Sequence, residues 1–251
     1  MEDGKPTALV VPLLLAAALL ALAMATGCAS HIGTTAASFM RKIQDSPDPN
    51  IRHLAYRKLA NKNCYNDDAQ MAQAAKMLAA RLVGGKEPIA SRTEICRTLG
   101  ELGRPEGREA IIKACDDDEP IVRAEACRAL GRVGTPEDVP VFSRHMTSDT
   151  AIDCRVAAIE GLGILKIASP LIELQLVDGM EDEDPAIRAA SLRAIREISG
   201  KDLGPEAGPW RKDALARLER QGGTAPPPLH TRERLANDPA KANPTRSPVF
   251  R

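Results

Sequence analysis

Asp118-Glu119-Pro120-Ile121-Val122-Arg123-Ala124-Glu125-Ala126-Cys127-Arg128-Ala129-Leu130-Gly131-Arg132-Val133-Gly134 opens with acids and a proline, closes on glycines, and carries small and apolar residues at helical spacing between them. Read outward from Arg123, the same pattern recurs along the chain. Arg52, Arg92, Arg123, Arg155 and Arg188 are separated by 40, 31, 32 and 33 residues. Three residues after each comes Ala55, Ile95, Ala126, Ala158 or Ser191, and seven after each comes Leu59, Leu99, Leu130, Leu162 or Ile195. The +3 and +7 positions share one face of a helix. Self-similarity at this period is the signature of a solenoid, whose units bury a common core only by stacking.

Each unit reads as two helices. The second is opened by an acidic residue beside a proline in four units: Asp48-Pro49, Glu87-Pro88, Glu119-Pro120 and Asp184-Pro185. A carboxylate at the cap accepts an orphan backbone N–H, and proline in the first turn forfeits no hydrogen bond. Gly100, Gly103, Gly131 and Gly134 are expected to end their helices. Pro-containing links (Arg104-Pro105-Glu106, Thr135-Pro136-Glu137) then restart the chain. The expected helix pairs are 34–45/49–61, 67–83/87–102, 106–115/119–133, 137–147/151–165 and 168–179/184–198.

The quoted stretch resembles HEAT repeats, specifically the short phycobilisome-lyase-like type, whose pattern is D-x-x-V-R-x-x-A-x-x-A-L-G-x-x-G. The second unit keeps Arg92, Leu99, Gly100 and Gly103, and the fourth keeps Arg155, Ala158, Leu162 and Gly163. The fifth keeps Asp184-Pro185 and Arg188 without the Leu-Gly, and the first keeps Asp48-Pro49 and Arg52 without the glycine. The resemblance covers roughly residues 33–200 and implies an all-α fold, a right-handed α-solenoid of about five helix pairs spanning 34–200. It also implies that the repeat arginines (Arg52, Arg92, Arg123, Arg155, Arg188) form a structural ladder, pairing with Asp or with backbone carbonyls across unit interfaces. The competing reading of that row is a cationic wall that grasps an acidic ligand.

Composition agrees with close-packed helices: hydrophobic residues make up 43% of the chain but aromatics only 2%, leaving Ala, Leu, Ile and Val to fill the core. With 34 basic and 34 acidic residues the net charge is zero, against a nucleic-acid partner that needs a basic face. Gly84-Gly85-Lys86 lacks the rest of a P-loop, and there is no G-x-S-x-G, no H-E-x-x-H and no C-x-x-C. The expectation is a protein that is not an enzyme, has no cofactor and takes no small-molecule substrate.

The amino terminus bears on location. No charged residue occurs from Pro6 to Ser30, and Ala8 to Ala25 is almost wholly apolar. Residues 1–27 read as a signal peptide, and Ala25-Thr26-Gly27-Cys28 resembles a bacterial lipobox, which implies lipid attachment at Cys28, a short linker over 28–33 and a place in the cell envelope facing the periplasm or exterior. Ala25 and the sparse basic residues depart from that pattern. A retained membrane anchor and a plain secretory signal also fit the segment.

Cys96 and Cys127 both fall four residues after a repeat arginine, at equivalent sites in adjacent units. Stacked helices lie too far apart for a bridge there, so both read as small buried hydrophobes. A bridge among Cys64, Cys115 and Cys154 is permitted, but no spacing favours one. His31, His53, His145 and His230 are scattered, with no compelling metal spacing, and read as surface or partly buried. The acidic clusters Asp67-Asp68, Asp116–Glu119 and Glu181–Asp184 fall beside interhelical turns, where helix-start acids are favoured; none matches a calcium loop.

Pro205 to Arg220 reads as a capping helix within 201–220, with Trp210, Leu215 and Leu218 along its inner face; the alternative makes Trp210 an exposed anchor. Residues 221–251, with six prolines, read as a disordered tail. The function expected is a membrane-anchored interaction scaffold for an unidentified protein partner. That partner is expected to cross several repeats and to contact Arg97, Arg128 and Glu160 beside the ladder on the concave wall. Charge reversal there is expected to release the partner without changing the melting temperature. The alternative is a phycobilisome-type chromophore lyase or a lyase-like accessory protein.

Overall fold

The computed structural model describes residues 33–224, so the expectations for the signal peptide, Cys28, His31, His230 and the tail from 225 onward lie outside the described residues. Among the described residues there are eleven α-helices and no strand. They form five pairs: α1 (Ala36–Asp45) with α2 (Pro49–Leu59), α3 (Asp68–Val83) with α4 (Ile89–Leu102), α5 (Arg108–Ala114) with α6 (Pro120–Val133), α7 (Val139–Ser148) with α8 (Ile152–Leu165), and α9 (Pro170–Gly179) with α10 (Pro185–Ser199). A last helix, α11 (Ala207–Arg220), follows. The fold is an α-solenoid.

Local chemistry starts and stops these helices. Asp48, Asp67 and Asp184 cap α2, α3 and α10 by accepting backbone N–H groups, and Thr35 and Ser38 form a reciprocal capping box on α1. Glu87 and Glu119, expected as caps, do not act so: Pro88 and Glu119 stand at the N-cap positions with no side-chain cap bond. Each first helix begins one or two residues later than expected, α5 and α7 behind a tighter turn. Pro105–Gly107 and Pro136–Asp138 form single 3₁₀ turns ahead of α5 and α7, a tighter winding common at helix starts. A third, Lys62–Cys64, sits in the longer link after α2.

The second helices α2, α4, α6, α8 and α10 pack side by side in one continuous layer. The first helices form the other layer, where α3 touches both α1 and α5 and α11 packs on α9. Glycines explain the closeness of the second layer. Gly100 and Gly131 do not end their helices, as expected, but lie inside α4 and α6. A Cβ on Gly100 would sit 2.9 Å from Ala129 Cα, and one on Gly131 would sit 2.7 Å from the carbonyl oxygen of Gly161. Gly163 similarly faces Ala194, at 3.3 Å. These residues therefore let backbones of successive units touch. Gly103 and Gly200 are the true left-handed caps, each at φ 67°. At the matching end of α8 the left-handed residue is Lys166, at φ 54°.

Ala, Leu, Ile and Val fill the interior between the layers, with Leu59, Ile95, Leu99, Leu130, Ile159, Leu162 and Ile195 all buried. Trp210 is 1% exposed and donates its indole N–H to the Gly204 carbonyl at 2.9 Å. It is a packed residue of the last helix, not an exposed anchor. Ala214 and Leu218 are buried with Leu174 beneath α11, while Leu215 is half-buried.

Candidate partner interface

The five repeat arginines stand in the first turns of the second helices and work in two directions. Each donates to one or two carbonyl oxygens just ahead of its own helix, in the preceding turn or, for Arg155, in the last turn of α7, and the first four also reach the turn of the next unit. Arg92 donates to the Glu87 carbonyl at 3.1 Å and grips Asp117 with two bonds of 2.9 Å. Arg123 donates to the Asp117 and Asp118 carbonyls at 2.9 and 3.1 Å and to both carboxylate oxygens of Asp149 at 2.9 and 2.8 Å. Arg52 repeats this with Ser46, Pro47 and the carboxylate of Glu87. Arg155 meets the Met146 carbonyl and Asp182. Arg188, in the fifth unit, meets the Asp182 and Glu183 carbonyls alone. The planar guanidinium fork suits this double duty, because it presents donors to two turns at once.

The acids of the ladder also shape their own turns. Asp117, Asp149 and Asp182 accept the backbone N–H two residues on, at 3.0, 3.0 and 2.9 Å. All three stand six residues before a repeat arginine, a register that aligning the units on arginine would expose. Ser46 holds the same place before Arg52, and its hydroxyl accepts the Asp48 N–H. Burial would raise the Asp149 carboxyl, but hydrogen bonds from Arg123, the Ala151 amide and His145 outweigh it and hold the group well below the usual carboxylate range. The same pairing raises Arg123.

The structure ties together Arg97, Arg128 and Glu160, the residues expected to meet a partner. Arg97 donates to both carboxylate oxygens of Glu125 at 3.2 Å and lies 3.4 Å from Glu94. Arg128 donates to Glu160 at 2.8 Å, and Glu160 lies 3.5 Å from Arg193. Glu94 and Glu125 are buried. This second line of ion pairs crosses α4, α6, α8 and α10, so the expectation that charge reversal leaves folding untouched is corrected. Arg97→Glu/Arg128→Glu would set carboxylates against Glu94, Glu125 and Glu160 across helix contacts.

What the sequence reading did not single out is a row of isoleucines. Ile89, Ile121 and Ile152 stand two or three residues before Arg92, Arg123 and Arg155, at the first turns of α4, α6 and α8, and are 41%, 60% and 47% exposed. The cleft between the α6 and α8 turns is lined by residues that include Asp116, Asp118, Arg144, His145 and Asp149. Arg144 donates to Asp116 at 2.6 and 3.1 Å and lowers its carboxyl.

His145 is more deeply buried than the expected surface or partly buried position. It is buried, with Nδ1 3.1 Å from Asp149 four residues on and Nε2 3.5 Å from Asp116. Among the described residues no group of three or more His, Cys, Asp or Glu side chains could hold a metal. All five described cysteines are free. Cys96, Cys115, Cys127 and Cys154 are buried and Cys64 is half-buried.

No curated protein matches this chain. Residues 75–163, from the middle of α3 through most of α8, match the model of the HEAT repeats family.

Proposed function

We propose that this solenoid is a protein-interaction scaffold and that its partner lies across the row of Ile89, Ile121 and Ile152. The exposed isoleucines carry the reading. Single surface hydrophobes need no explanation, but one in the first turn of each of three neighbouring second helices makes an apolar track. The track runs along the helix starts of the tightly packed second layer, the layer that faces inward if the stack curves toward its closer spacing. Asp116 and Asp118 line the cleft between the α6 and α8 turns, favouring a partner segment that alternates apolar with basic side chains. Because the arginine ladder and the line from Arg97 to Glu160 are occupied by internal pairs, they frame the surface and contribute less to it.

The test is photo-crosslinking in cells from positions 89, 121 and 152, compared with exposed positions 41 and 109 on the first helices. One partner band shared by the three isoleucine positions and missing from the other two is the expected result. Equal capture from both faces, or none from the isoleucines, overturns the reading.

The amino-terminal sequence supports a location for this scaffold: lipid attachment at Cys28, holding the repeats at a membrane surface in the envelope. No helix of the described residues is long and apolar enough to cross a membrane. Cys28→Ser should block processing and abolish fatty-acid labelling, and unchanged labelling sinks the anchor. The lyase alternative finds little to build on. Phe39, Tyr56, Phe142 and Trp210 are buried and Tyr65 is half-buried, which leaves no exposed aromatic among the described residues to stack on a tetrapyrrole.

A further inference from the structure

In the third unit two cysteines that the repeat pattern assigns to different places face each other. Cys115 closes α5 as its C-cap residue, and Cys127 lies within α6. Both are fully buried, and the Cys127 thiol donates to Cys115 Sγ at 4.0 Å. Of the other described cysteines, Cys154 donates to the Pro120 carbonyl at 3.0 Å and Cys64 to the Lys58 carbonyl at 3.9 Å. We propose that Cys115 and Cys127 form an intramolecular disulfide when the chain folds in the presence of a disulfide oxidant.

The geometry needs about 2 Å of closure to reach bonding distance. Rotation of the two side chains can supply part of it. The rest can come from Cys115 lying just past the last residue of α5, in the turn leading to Asp116–Asp118. The chemistry proceeds by two exchanges. One cysteine thiolate attacks the oxidant's disulfide, forming a mixed disulfide and releasing one thiol. The second cysteine thiolate then displaces the oxidant's other sulfur, giving the Cys115–Cys127 bond. The protein loses two protons and two electrons, and the oxidant is reduced to two thiols. Full burial sets the timing: the bond forms before the unit closes and is afterwards shielded from reductant. It would enclose the turn that carries Asp117, which is held by Arg92 and supplies a carbonyl to Arg123. The bond would therefore staple one turn of the ladder, wherever the surroundings are oxidising enough to form it.

Trypsin separates the two cysteines, because cleavage after Lys113, Arg123 and Arg128 leaves Cys115 in peptide 114–123 and Cys127 in peptide 124–128. The full chain is refolded from the reduced, denatured state with a mixture of oxidised and reduced glutathione. Free thiols are then alkylated and the unreduced digest is read by mass spectrometry. The expected product is the two peptides joined, lighter by two hydrogens than their sum, with Cys64, Cys96 and Cys154 alkylated. Recovery of both peptides separately alkylated, or their capture by other cysteines in preference, overturns the proposal. In parallel, Cys64→Ser should leave the linked pair intact; loss of the link in that variant counts equally against it.

Discussion

At the scale of single residues, the ladder's end shows what each part of a rung contributes. Arg123 neutralises a buried carboxylate and closes two turns, whereas Arg188 touches only carbonyls at exposed positions. Removing one partner of a buried pair strands the other charge, so Arg123→Ala is expected to cost about 3–5 kcal/mol. Arg188→Ala is expected to cost about 1 kcal/mol. Urea titrations of the two variants decide this, and equal midpoints would make the carboxylate irrelevant. The same carboxylate carries a pH signature. The folded value of Asp149 is depressed, so its stabilisation is complete above the unfolded value of about 3.9 and drains away as pH falls below it toward the folded value. Melting temperature should therefore fall more steeply between pH 5 and pH 3, an interval of roughly two units around that value, in the wild type than in Asp149→Asn. Parallel slopes would exclude Asp149 as a source of acid sensitivity.

At the scale of helices, glycine does two unrelated things. Gly131→Ala forces a methyl against the Gly161 backbone, which has no side chain to swing aside, and should cost about 1–3 kcal/mol by pushing α6 from α8. Gly103→Ala meets open space and costs only the left-handed backbone, about 1–2 kcal/mol. A backbone displacement seen in a crystal structure of the first variant and absent from the second is the discriminating measurement. Both glycines stand at repeated places in the sequence, yet only Gly103 can be assigned its role from sequence. A C-cap is a local property of one helix, whereas the use of Gly131 depends on which residue of the next unit lies opposite. The same limit explains the other departures. Glu87 looks like a cap because it precedes a proline, but Arg52, 35 residues earlier, takes its carboxylate. Helix pairs and the +3 and +7 core positions were legible because they follow from periodicity within a unit. Arg97, Arg128 and Glu160 were legible as charged and flanking, but not as each other's partners. The isoleucine row went unnoticed because an apolar residue in a helix's first turn looks no different from a core residue until the fold exposes it.

At the scale of the molecule, every unit depends on its neighbours and on little else, so damage should stay local. Trp210→Ala removes a side chain buried against the last units and should cost about 3–5 kcal/mol there. Hydrogen exchange should show lost protection in α9 through α11 with α2 through α4 unchanged. Loss spread evenly over all helices would mean the stack unfolds as one body. The directional rung carries a further consequence. Every second helix but the last offers an arginine forward, and every turn but the first offers an acid back, so the third unit ends in the same socket that it fills. A duplicate of that unit inserted behind it would find its mate on both sides: Arg123 of the first copy would meet Asp117 of the second, as Arg92 meets Asp117 now. The chain behaves as a string of interchangeable couplings, and its length is a variable that evolution or an engineer can change one link at a time.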